Sequence, residues 1–350
     1  MDKQLSLFPN LTAQFPSTRY QGSKAKLVDW IWEQLADLDF KTCLDAFGGT
    51  GAVSYRLKQE NKQVTYNDLL QFNYQFGKAL IENSSTTLKD VDPLLIYHPD
   101  YDYPDFIQRT FKDIYFTDEE NAWIDYVITN LHQLKDPYQF ALAFFALAQA
   151  CIVKRPYNLF HRKNLYIRTA EVERSFGNKS SWDKPFDMWF RQFIQEANQA
   201  VFDNGQTNHA FNMDVLDIPG DYDLVYLDPP YITGKGVAVD YRDFYHFLEG
   251  LLIGDAWDSL IDKQSKHRRL KRVPSAWTDK HQIHAAFEAV FQRYQDSIIV
   301  ISYRTDGIPS EAELIKLLKQ YKSHVHVEYY GRYQYVLSKN TRSGEMLITG

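Results

Sequence analysis

A short apolar segment that ends in a glycine-rich turn restricts most strongly how this chain can fold. Thr42 to Phe47 has the pattern of a strand, Gly48 to Gly51 forms a turn, and Ala52 to Gln59 has the pattern of a helix. A second strand is predicted over Val64 to Tyr66, followed by a helix over Leu69 to Ile81. Because two β-α units in tandem place their strands side by side in one direction, the sequence predicts a parallel sheet.

The same alternation stops after this second helix and returns in the last third of the chain. Tyr222 to Leu227 and Ser297 to Ser302 are predicted strands, and Val325 to Tyr330, Tyr333 to Val336 and Met346 to Thr349 predict three more. We therefore expect an α/β fold, with a doubly wound, mostly parallel, Rossmann-like sheet and a C-terminal antiparallel hairpin.

These patterns predict three parts of the chain. Residues 17–83 and 208–350 are expected to form the sheet domain, which would bind a cofactor at the carboxyl edge of its strands. Residues 84–207 are expected to form a largely helical insertion, and residues 1–16 a flexible N-terminal segment.

The composition is that of an ordinary globular protein, with 44% hydrophobic and 24% charged residues in a chain of 350. No apolar run approaches the roughly 20 residues that span a bilayer, and the N-terminal region lacks the apolar block of a secretory signal. Cys43 and Cys151 lie in apolar surroundings, which favours reduced thiols and no metal site. We therefore expect a cytoplasmic protein without a membrane partner.

The glycine turn and the acid after the second strand indicate a bound nucleoside. A glycine-rich turn lets a ligand approach the backbone at the start of a helix. Asp68, at the end of the second strand, provides a carboxylate that can accept hydrogen bonds from a ribose diol. The same residues also fit a nicotinamide cofactor, or a tight turn in which Asp68 only caps its helix.

Two successive prolines fix the backbone after the predicted strand that ends at Leu227. In Asp228-Pro229-Pro230-Tyr231, the Asp228 carboxylate and the Pro229 carbonyl can both accept hydrogen bonds from one planar amino group. Such acceptors make the amino nitrogen of a base more nucleophilic, and Tyr231 offers a ring on which the base can stack. The alternative is a rigid turn without chemistry.

Together these motifs resemble those of the amino-group DNA methyltransferases, in the N6-adenine group whose cofactor motif precedes the catalytic one. Phe47 to Gly51 matches the family's F-x-G-x-G, and Asp228 to Tyr231 matches its D-P-P-Y. The segment from Tyr20 to Lys24 is similar to its aromatic-x-G-x-K element, which implies contacts from these two residues to the methionine end of the cofactor. Asp214 stands where the family has an acid that contacts adenine.

The resemblance implies a site-specific enzyme that moves the methyl group of S-adenosyl-L-methionine to N6 of an adenine flipped out of double-stranded DNA. Such an enzyme serves in restriction-modification or epigenetic marking. The implied catalytic residues are Asp228, Pro229, Pro230 and Tyr231. The implied cofactor-binding residues are Tyr20, Gly22, Lys24, Asp45, Phe47, Gly48, Gly49, Gly51, Asp68, Met213, Asp214, Val215 and Asp228.

Two basic segments are candidates for holding DNA, although the net charge of −6 argues against a polyanion-binding surface over the whole chain. Lysine and arginine neutralise phosphates and fix a protein on the duplex, and the alternative for either segment is a solvated surface. The predicted DNA contacts are Lys154, Arg155, Arg162 and Lys163 in the insertion, and Lys266, Arg268, Arg269, Lys271 and Arg272 after the catalytic motif. Tyr241, Phe244 and Tyr245 are candidates for a flipped-base pocket, and packing in the core is the alternative for them.

The N-terminal segment contains a possible docking peptide. Gln4-Leu5-Ser6-Leu7-Phe8 resembles the Q-L-x-L-F peptide through which bacterial replication and repair proteins bind the sliding clamp. Its apolar side chains would fill a groove, unless the segment packs on its own domain. A cognate restriction endonuclease is the other expected protein partner, and both expectations fit a bacterial or phage-encoded protein.

Three other functions compete with adenine methylation. N4-cytosine methylation uses the same amine chemistry, but its enzymes more commonly have Ser where this chain has Asp228. A nicotinamide-dependent dehydrogenase would share the glycine turn, but Ser54 stands at the third glycine position of G-x-G-x-x-G, and the proline turn would have no role. A DNA-binding subunit without activity would leave the D-P-P-Y motif unexplained.

Overall fold

The computed structural model describes residues 13–171, 179–331 and 344–350. The α-helices in these ranges are α1 Val28–Leu35, α2 Ala52–Gln59, α3 Gln71–Gly77, α4 Asp92–Leu95, α5 Phe106–Thr110, α6 Asp118–Leu131, α7 Pro137–Val153, α8 Leu165–Thr169, α9 Lys179–Asp183, α10 Phe186–Ala200, α11 Tyr241–Phe244, α12 His246–Ile253, α13 Trp257–Leu260, α14 Ile283–Arg293 and α15 Glu311–Leu318. The strands are β1 Thr42–Asp45, β2 Gln63–Asn67, β3 His209–Phe211, β4 Leu224–Leu227, β5 Ile232–Thr233, β6 Ile298–Arg304, β7 Gly307–Ile308, β8 His326–Tyr330 and β9 Glu345–Thr349. Short 3-10 turns occupy Lys24–Lys26, Pro156–Asn158, Gly254–Ala256 and Ala276–Thr278, and a π-helical turn occupies Lys78–Glu82.

Seven of these strands form one sheet, in the order β3-β2-β1-β4-β6-β9-β8. The first five strands are parallel, whereas β9 runs antiparallel to both β6 and β8. The predicted doubly wound, mostly parallel sheet with an antiparallel C-terminal pair is confirmed. The predicted strand from Tyr333 to Val336 lies outside the described residues.

The sheet is covered on both faces, as expected for parallel strands that are buried and apolar. Along β4, Leu224 and Tyr226 pack into one core, whereas Val225 and Leu227 pack into the other. The first core also contains residues of α1, α3, α7 and α10, and the second contains residues of α14 and α15. The alternation along one strand thus places a layer of helices on each side of the sheet.

The chain between β2 and β3 is helical. α7 is apolar around its whole circumference and nearly all of its residues are buried, which is the pattern of a helix inside a core. It packs along α10. α6 begins with a capping box between Thr117 and Glu120, which satisfies the first backbone N–H groups of that helix.

The order of strands changes direction at β1, which lies between β2 and β4. At such a position the loops after two neighbouring strands leave toward opposite sides and open a crevice at their carboxyl ends. The glycine turn follows β1 and the D-P-P-Y segment follows β4. The sheet topology therefore brings two motifs that are far apart in the sequence to one crevice.

Candidate functional site

A cavity of about 340 Å³ occupies this crevice. Its volume lies within the range of roughly 300–1,000 Å³ that is common for small-molecule sites. Of the residues that the motifs predict, Tyr20, Gly22, Lys24, Asp45, Phe47, Gly48, Gly49, Asp68, Asp228 and Pro230 line the cavity. Ser23 and Thr50, the variable positions of two motifs, also line the cavity. Residues without a recognisable motif complete the lining, among them Asn73, Arg242, Glu249, Val273, Pro274, Ser275, Trp277 and Thr278.

The glycine turn needs glycine for two physical reasons. A Cβ on Gly48 would lie 2.0 Å from the ring of Tyr66, which is buried beneath the turn. Gly51 has a φ of +81°, in the left-handed region that favours glycine. The Tyr66 hydroxyl also donates to the carbonyl of Gly49 at 2.7 Å. The turn is thus fixed against β2 while its backbone faces the cavity.

Asp68 is tied to the glycine turn. Its Oδ2 accepts hydrogen bonds from the Gly49 N–H at 2.9 Å and the Asn73 amide at 3.1 Å, and its Oδ1 accepts from the Leu70 N–H at 2.8 Å. Burial raises the pKa of Asp68 to about 6, although these hydrogen bonds oppose the rise. The carboxylate therefore lies at the cavity in a fixed orientation.

Two buried acceptors on the cavity wall lack partners among the described residues. Asp45 accepts a hydrogen bond from the Ser54 hydroxyl at 2.7 Å through Oδ2, while its Oδ1 has no partner in the described part of the chain. The Oδ1 of Asn73 is in the same situation. Burial raises the pKa of Asp45 to about 7. Since buried acceptors are usually satisfied, this wall is suited to a ligand that brings hydrogen-bond donors.

Lys24 binds the D-P-P-Y segment directly. Its Nζ lies 2.6 Å from both carboxylate oxygens of Asp228 and 2.6 Å from the Tyr231 hydroxyl. A lysine ammonium has three donors, and these contacts use them. In this arrangement the ammonium is therefore committed to the D-P-P-Y segment, and the contact of Lys24 to the methionine end of a cofactor stays a prediction.

A further carboxylate, that of Glu345 on β9, completes this group. Its Oε1 lies 3.4 Å from Lys24 Nζ and 2.8 Å from the Tyr231 hydroxyl. Burial acts to lower the pKa of Lys24, but Asp228 and Glu345 together raise it above its ordinary value. The ammonium is therefore charged across the neutral pH range. The motifs do not indicate Glu345, because its position depends on how β9 pairs with β6.

Tyr231 does not present its ring to the cavity. The side chain is 6% exposed, and its ring packs edge-on against Tyr303 with centroids 5.1 Å apart. In this arrangement the Tyr231 ring is therefore not accessible for the expected stacking of a base. The hydroxyl group of Tyr231 points to Asp228. Tyr241 lines the cavity instead and is stacked on Tyr20, with ring centroids 5.5 Å apart.

Several predicted residues lie outside the cavity lining: Gly51, Met213, Asp214, Val215, Pro229, Tyr231, Phe244 and Tyr245. Asp214 is exposed, and its Oδ1 accepts a hydrogen bond from the Leu216 N–H at 3.0 Å. Asn67, at the end of β2, exchanges hydrogen bonds with the backbone of Met213 at 3.1 and 3.2 Å. The segment after β3 is thus anchored beside the crevice, with the Asp214 carboxylate in a local turn.

The prediction that Lys154 and Arg155 contact DNA is corrected by their burial, since both are at most 2% exposed. Lys154 pairs with Glu120 at 2.6 Å and donates to the carbonyl of Lys184 at 2.6 Å. The Arg155 guanidinium donates to backbone carbonyls, including that of Tyr115 at 3.1 Å. These cations connect parts of the chain between β2 and β3 to each other. The sequence alone could not distinguish them from Arg162 and Lys163, which are exposed.

The second basic segment lies beside the cavity. Residues 271 and 272 lead directly into residues 273–275, which line the cavity together with Trp277 and Thr278. Lys266, Lys271 and Arg272 are exposed, whereas Arg268 and Arg269 are half-buried. Arg269 pairs with Asp262 at 3.2 Å. Lys271 and Arg272 thus carry positive charge directly next to residues that line the cavity.

Two expectations concern other parts of the molecule. None of the helices in the described ranges is long and apolar enough to cross a membrane. The possible clamp peptide from Gln4 to Phe8 lies outside the described residues.

Comparison with known proteins identifies the family that this chain resembles. The model of the D12 class of N6 adenine-specific DNA methyltransferases matches residues 20–255. The Type II methyltransferase M2.HphI of Haemophilus parahaemolyticus is 31% identical over 88% of this chain and 88% of its own. The Type II methyltransferases M.CviAII of Paramecium bursaria Chlorella virus 1 and M.NlaIII of Neisseria lactamica are 24% and 26% identical. They match 91% and 89% of this chain, and 93% and 91% of their own.

Proposed function

The chain belongs to the D12 class of N6 adenine-specific DNA methyltransferases, and on that premise we propose that its crevice binds S-adenosylmethionine and uses Asp228 to direct adenine N6. The reaction is site-specific adenine methylation of DNA, in a restriction-modification setting like that of its Type II relatives. Membership of this class removes the dehydrogenase and the N4-cytosine enzyme as alternatives. The observation that carries the proposal is that the glycine turn and Asp228 line the same cavity.

The cavity wall fits the proposed cofactor. Asp68 would hold the ribose hydroxyls, and the unpartnered oxygens of Asp45 and Asn73 would accept further donors of the ligand. The glycine turn leaves room for the ligand against the backbone. When bound, S-adenosylmethionine supplies an electrophilic methyl group on a sulfonium.

Asp228 has one acceptor position left for the adenine amino group. Its Oδ1 is contacted by both Lys24 Nζ and the Tyr231 hydroxyl, whereas its Oδ2 is contacted by Lys24 Nζ. Because a carboxylate oxygen has two lone pairs, Oδ2 can still accept an N–H. In the proposed reaction Asp228 orients the amine, with the Pro229 carbonyl as second acceptor, and stabilises the positive charge that forms on nitrogen.

The aromatic residues of the rim are proposed to hold the flipped base. Tyr241 and Trp277 both line the cavity, and Trp277 packs edge-on against Phe47 with centroids 4.8 Å apart. A base that leaves the duplex loses its stacking partners, and aromatic faces compensate for that loss. Substitution of Tyr231 would then affect methyl transfer mainly through the loss of its hydroxyl contact to Asp228.

The affinity for S-adenosylmethionine is expected to rise with pH between about 5 and 7. Asp45 and Asp68 have pKa values near 7 and 6 because they are buried. Donors on the ligand stabilise the ionised carboxylates, so binding lowers these pKa values and releases protons. The dissociation constant should fall by up to about tenfold for each pKa unit lowered, and level off above pH 8. Calorimetric titrations at several pH values, in buffers of different ionisation enthalpy, measure both quantities.

Asp68→Asn provides the control for this prediction. The amide keeps the shape of the side chain but cannot ionise, so the variant should bind more weakly and with a shallower pH dependence. An affinity of the wild-type protein that stays constant or decreases between pH 5 and 7 would contradict the assignment of these two carboxylates.

The basic segment from residue 263 to residue 272 is proposed to contact DNA phosphates, together with Arg162 and Lys163. Replacement of Lys266 and Arg272 by Ala should weaken DNA binding for all sequences alike. The slope of log affinity against log salt concentration should decrease by about 0.9 for each phosphate that the variant no longer neutralises. Fluorescence anisotropy at several salt concentrations measures both effects. Lys319→Ala, an exposed lysine at the end of α15, should leave the slope unchanged.

The insertion of residues 84–207 is proposed to form a target-recognition region, and the sliding clamp and a cognate endonuclease stay proposed partners. A DNA substrate also supports the expected cytoplasmic location. The reaction itself is tested by incubating the protein with methyl-labelled S-adenosylmethionine and either unmethylated DNA or RNA. Label in N6-methyladenine of the DNA is the expected result; label only in RNA, or in another DNA base, would refute the proposed function.

A further inference from the structure

A second buried carboxylate lies beside the catalytic one and comes from the far end of the chain. Glu345 begins β9, and its side chain has no exposed surface. The Ser302 hydroxyl donates to its Oε1 at 2.6 Å, and the Tyr231 hydroxyl lies 2.8 Å from the same oxygen. Lys24 Nζ is 3.4 Å away. Glu345 therefore contacts two groups that themselves contact Asp228.

The charges of this group explain why a second carboxylate is useful there. The Lys24 ammonium lies 2.6 Å from both oxygens of Asp228. Such a cation alone would cancel the negative charge of Asp228 at the place where methyl transfer creates positive charge on the adenine nitrogen. Glu345 adds a second negative charge beside the same ammonium. One cation between two carboxylates leaves the group with a net negative charge at the amine.

We propose that Glu345 is a positioning residue for methyl transfer, which balances the charge of Lys24 and fixes the Tyr231 hydroxyl so that the group of Lys24, Asp228 and Glu345 keeps a net negative charge toward adenine N6. The inference rests on the proposed role of Asp228. It concerns a residue beyond the segment matched by the family model, which ends at residue 255. The antiparallel pairing of β9 with β6 brings Glu345 to the site.

The pH dependence of the reaction distinguishes this role from a purely structural one. Burial raises the pKa of Asp228, Lys24 opposes the rise, and Glu345 adds to it. Removing the charge of Glu345 should therefore lower the pKa of Asp228. Other charged or titratable groups also face Asp228 and Glu345: Asp45, Tyr226, Tyr231, Tyr241 and Arg304. Arg304 is itself paired with Asp306.

The test is Glu345→Gln, which keeps the size of the side chain and its capacity to accept hydrogen bonds but removes the charge. We expect kcat to fall by about 10- to 100-fold, with KM for DNA and the affinity for S-adenosylmethionine unchanged. The acid limb of the pH profile of kcat should move to lower pH. Glu345→Asp retains the charge and should lose less activity than Glu345→Gln. Glu328→Gln, on the neighbouring strand β8, should behave as wild type in all of these measurements.

The outcomes separate this inference from the proposed function. A Glu345→Gln enzyme with wild-type kcat, or with an unmoved acid limb, would overturn the inference while an inactive Asp228→Ala enzyme upholds the proposed function. An active Asp228→Ala enzyme would refute both. If thermal denaturation shows that Glu345→Gln is not folded, the Glu345→Asp variant takes its place in the test. The shorter Asp side chain lies farther from Lys24, so kcat should fall and the acid limb should move to lower pH. Wild-type values of both quantities would overturn the inference.

Discussion

Replacement of Asp228 by Ala is expected to abolish methyl transfer while the protein still binds S-adenosylmethionine. The variant removes the acceptor that orients the adenine amino group and stabilises the charge that forms on it. Loss of one preorganised group of this kind lowers kcat by about 10²–10³-fold or more. The proposed cofactor contacts of Asp45, Asp68 and the glycine turn are untouched, so the dissociation constant should stay within a few-fold of the wild-type value. Single-turnover kinetics and calorimetry measure the two quantities.

A matched control for this variant is Asp221→Ala. Asp221 lies a few residues before β4, its side chain is 99% exposed, and it pairs only at the surface with Arg293 at 3.6 Å. Its replacement should leave both kcat and cofactor affinity unchanged. Appreciable transfer by Asp228→Ala would remove the central assignment, whereas loss of cofactor binding together with activity would assign to Asp228 the cofactor contact that the family resemblance also implies.

Replacement of Lys24 by Met is expected to reduce both stability and activity. The change leaves Asp228 and Glu345 buried near each other without the ammonium that pairs with both. Removal of one partner from a buried ion pair costs about 3–5 kcal/mol of unfolding free energy. Activity should fall as well, because Asp228 loses the contact that fixes it. Urea denaturation monitored by fluorescence measures the stability, and methyl-transfer assays measure kcat.

The pH dependence of this loss has a definite sign. Lys24 opposes the rise of the Asp228 pKa, so without Lys24 that pKa rises further. A raised carboxyl pKa means that the folded state gains protons, and the stability difference from wild type should be largest near pH 8 and shrink toward pH 5. Lys26→Met, an exposed lysine in the same turn, is the control and should change neither stability nor kcat. A stability loss that grows toward low pH would contradict the pairing of Lys24 with the two carboxylates.

The sequence predicted the sheet and both ends of the crevice because these features depend on local patterns. The apolar strands, the glycine turn and the D-P-P-Y motif each carry their meaning within a few residues. Gly48 illustrates this. Only a residue without a Cβ fits above Tyr66, so the glycines in the sequence indicate the turn. The tandem β-α units also predicted the doubly wound, mostly parallel arrangement, whereas the order of the strands is a finding of the structure.

The remaining residues of the site could not be predicted because they depend on contacts between distant segments. Glu345 reaches Lys24 only through the antiparallel pairing of β9 with β6, which no local pattern specifies. Lys154 and Arg155 show the opposite failure. Their basic, aromatic surroundings resemble a nucleic-acid surface, but the same cations are buried among carbonyls and Glu120. Burial, which decides between these two interpretations, is a property of the fold.

Adenine methylation is tested most directly by single-molecule sequencing of unmethylated genomic DNA after incubation with the purified protein and S-adenosylmethionine. This measurement reports the modified base and its sequence context together. We expect N6-methyladenine at one recurring sequence, and none after incubation with the Asp228→Ala variant. N4-methylcytosine, or unmodified DNA from a protein that demonstrably binds the cofactor, would contradict this expectation.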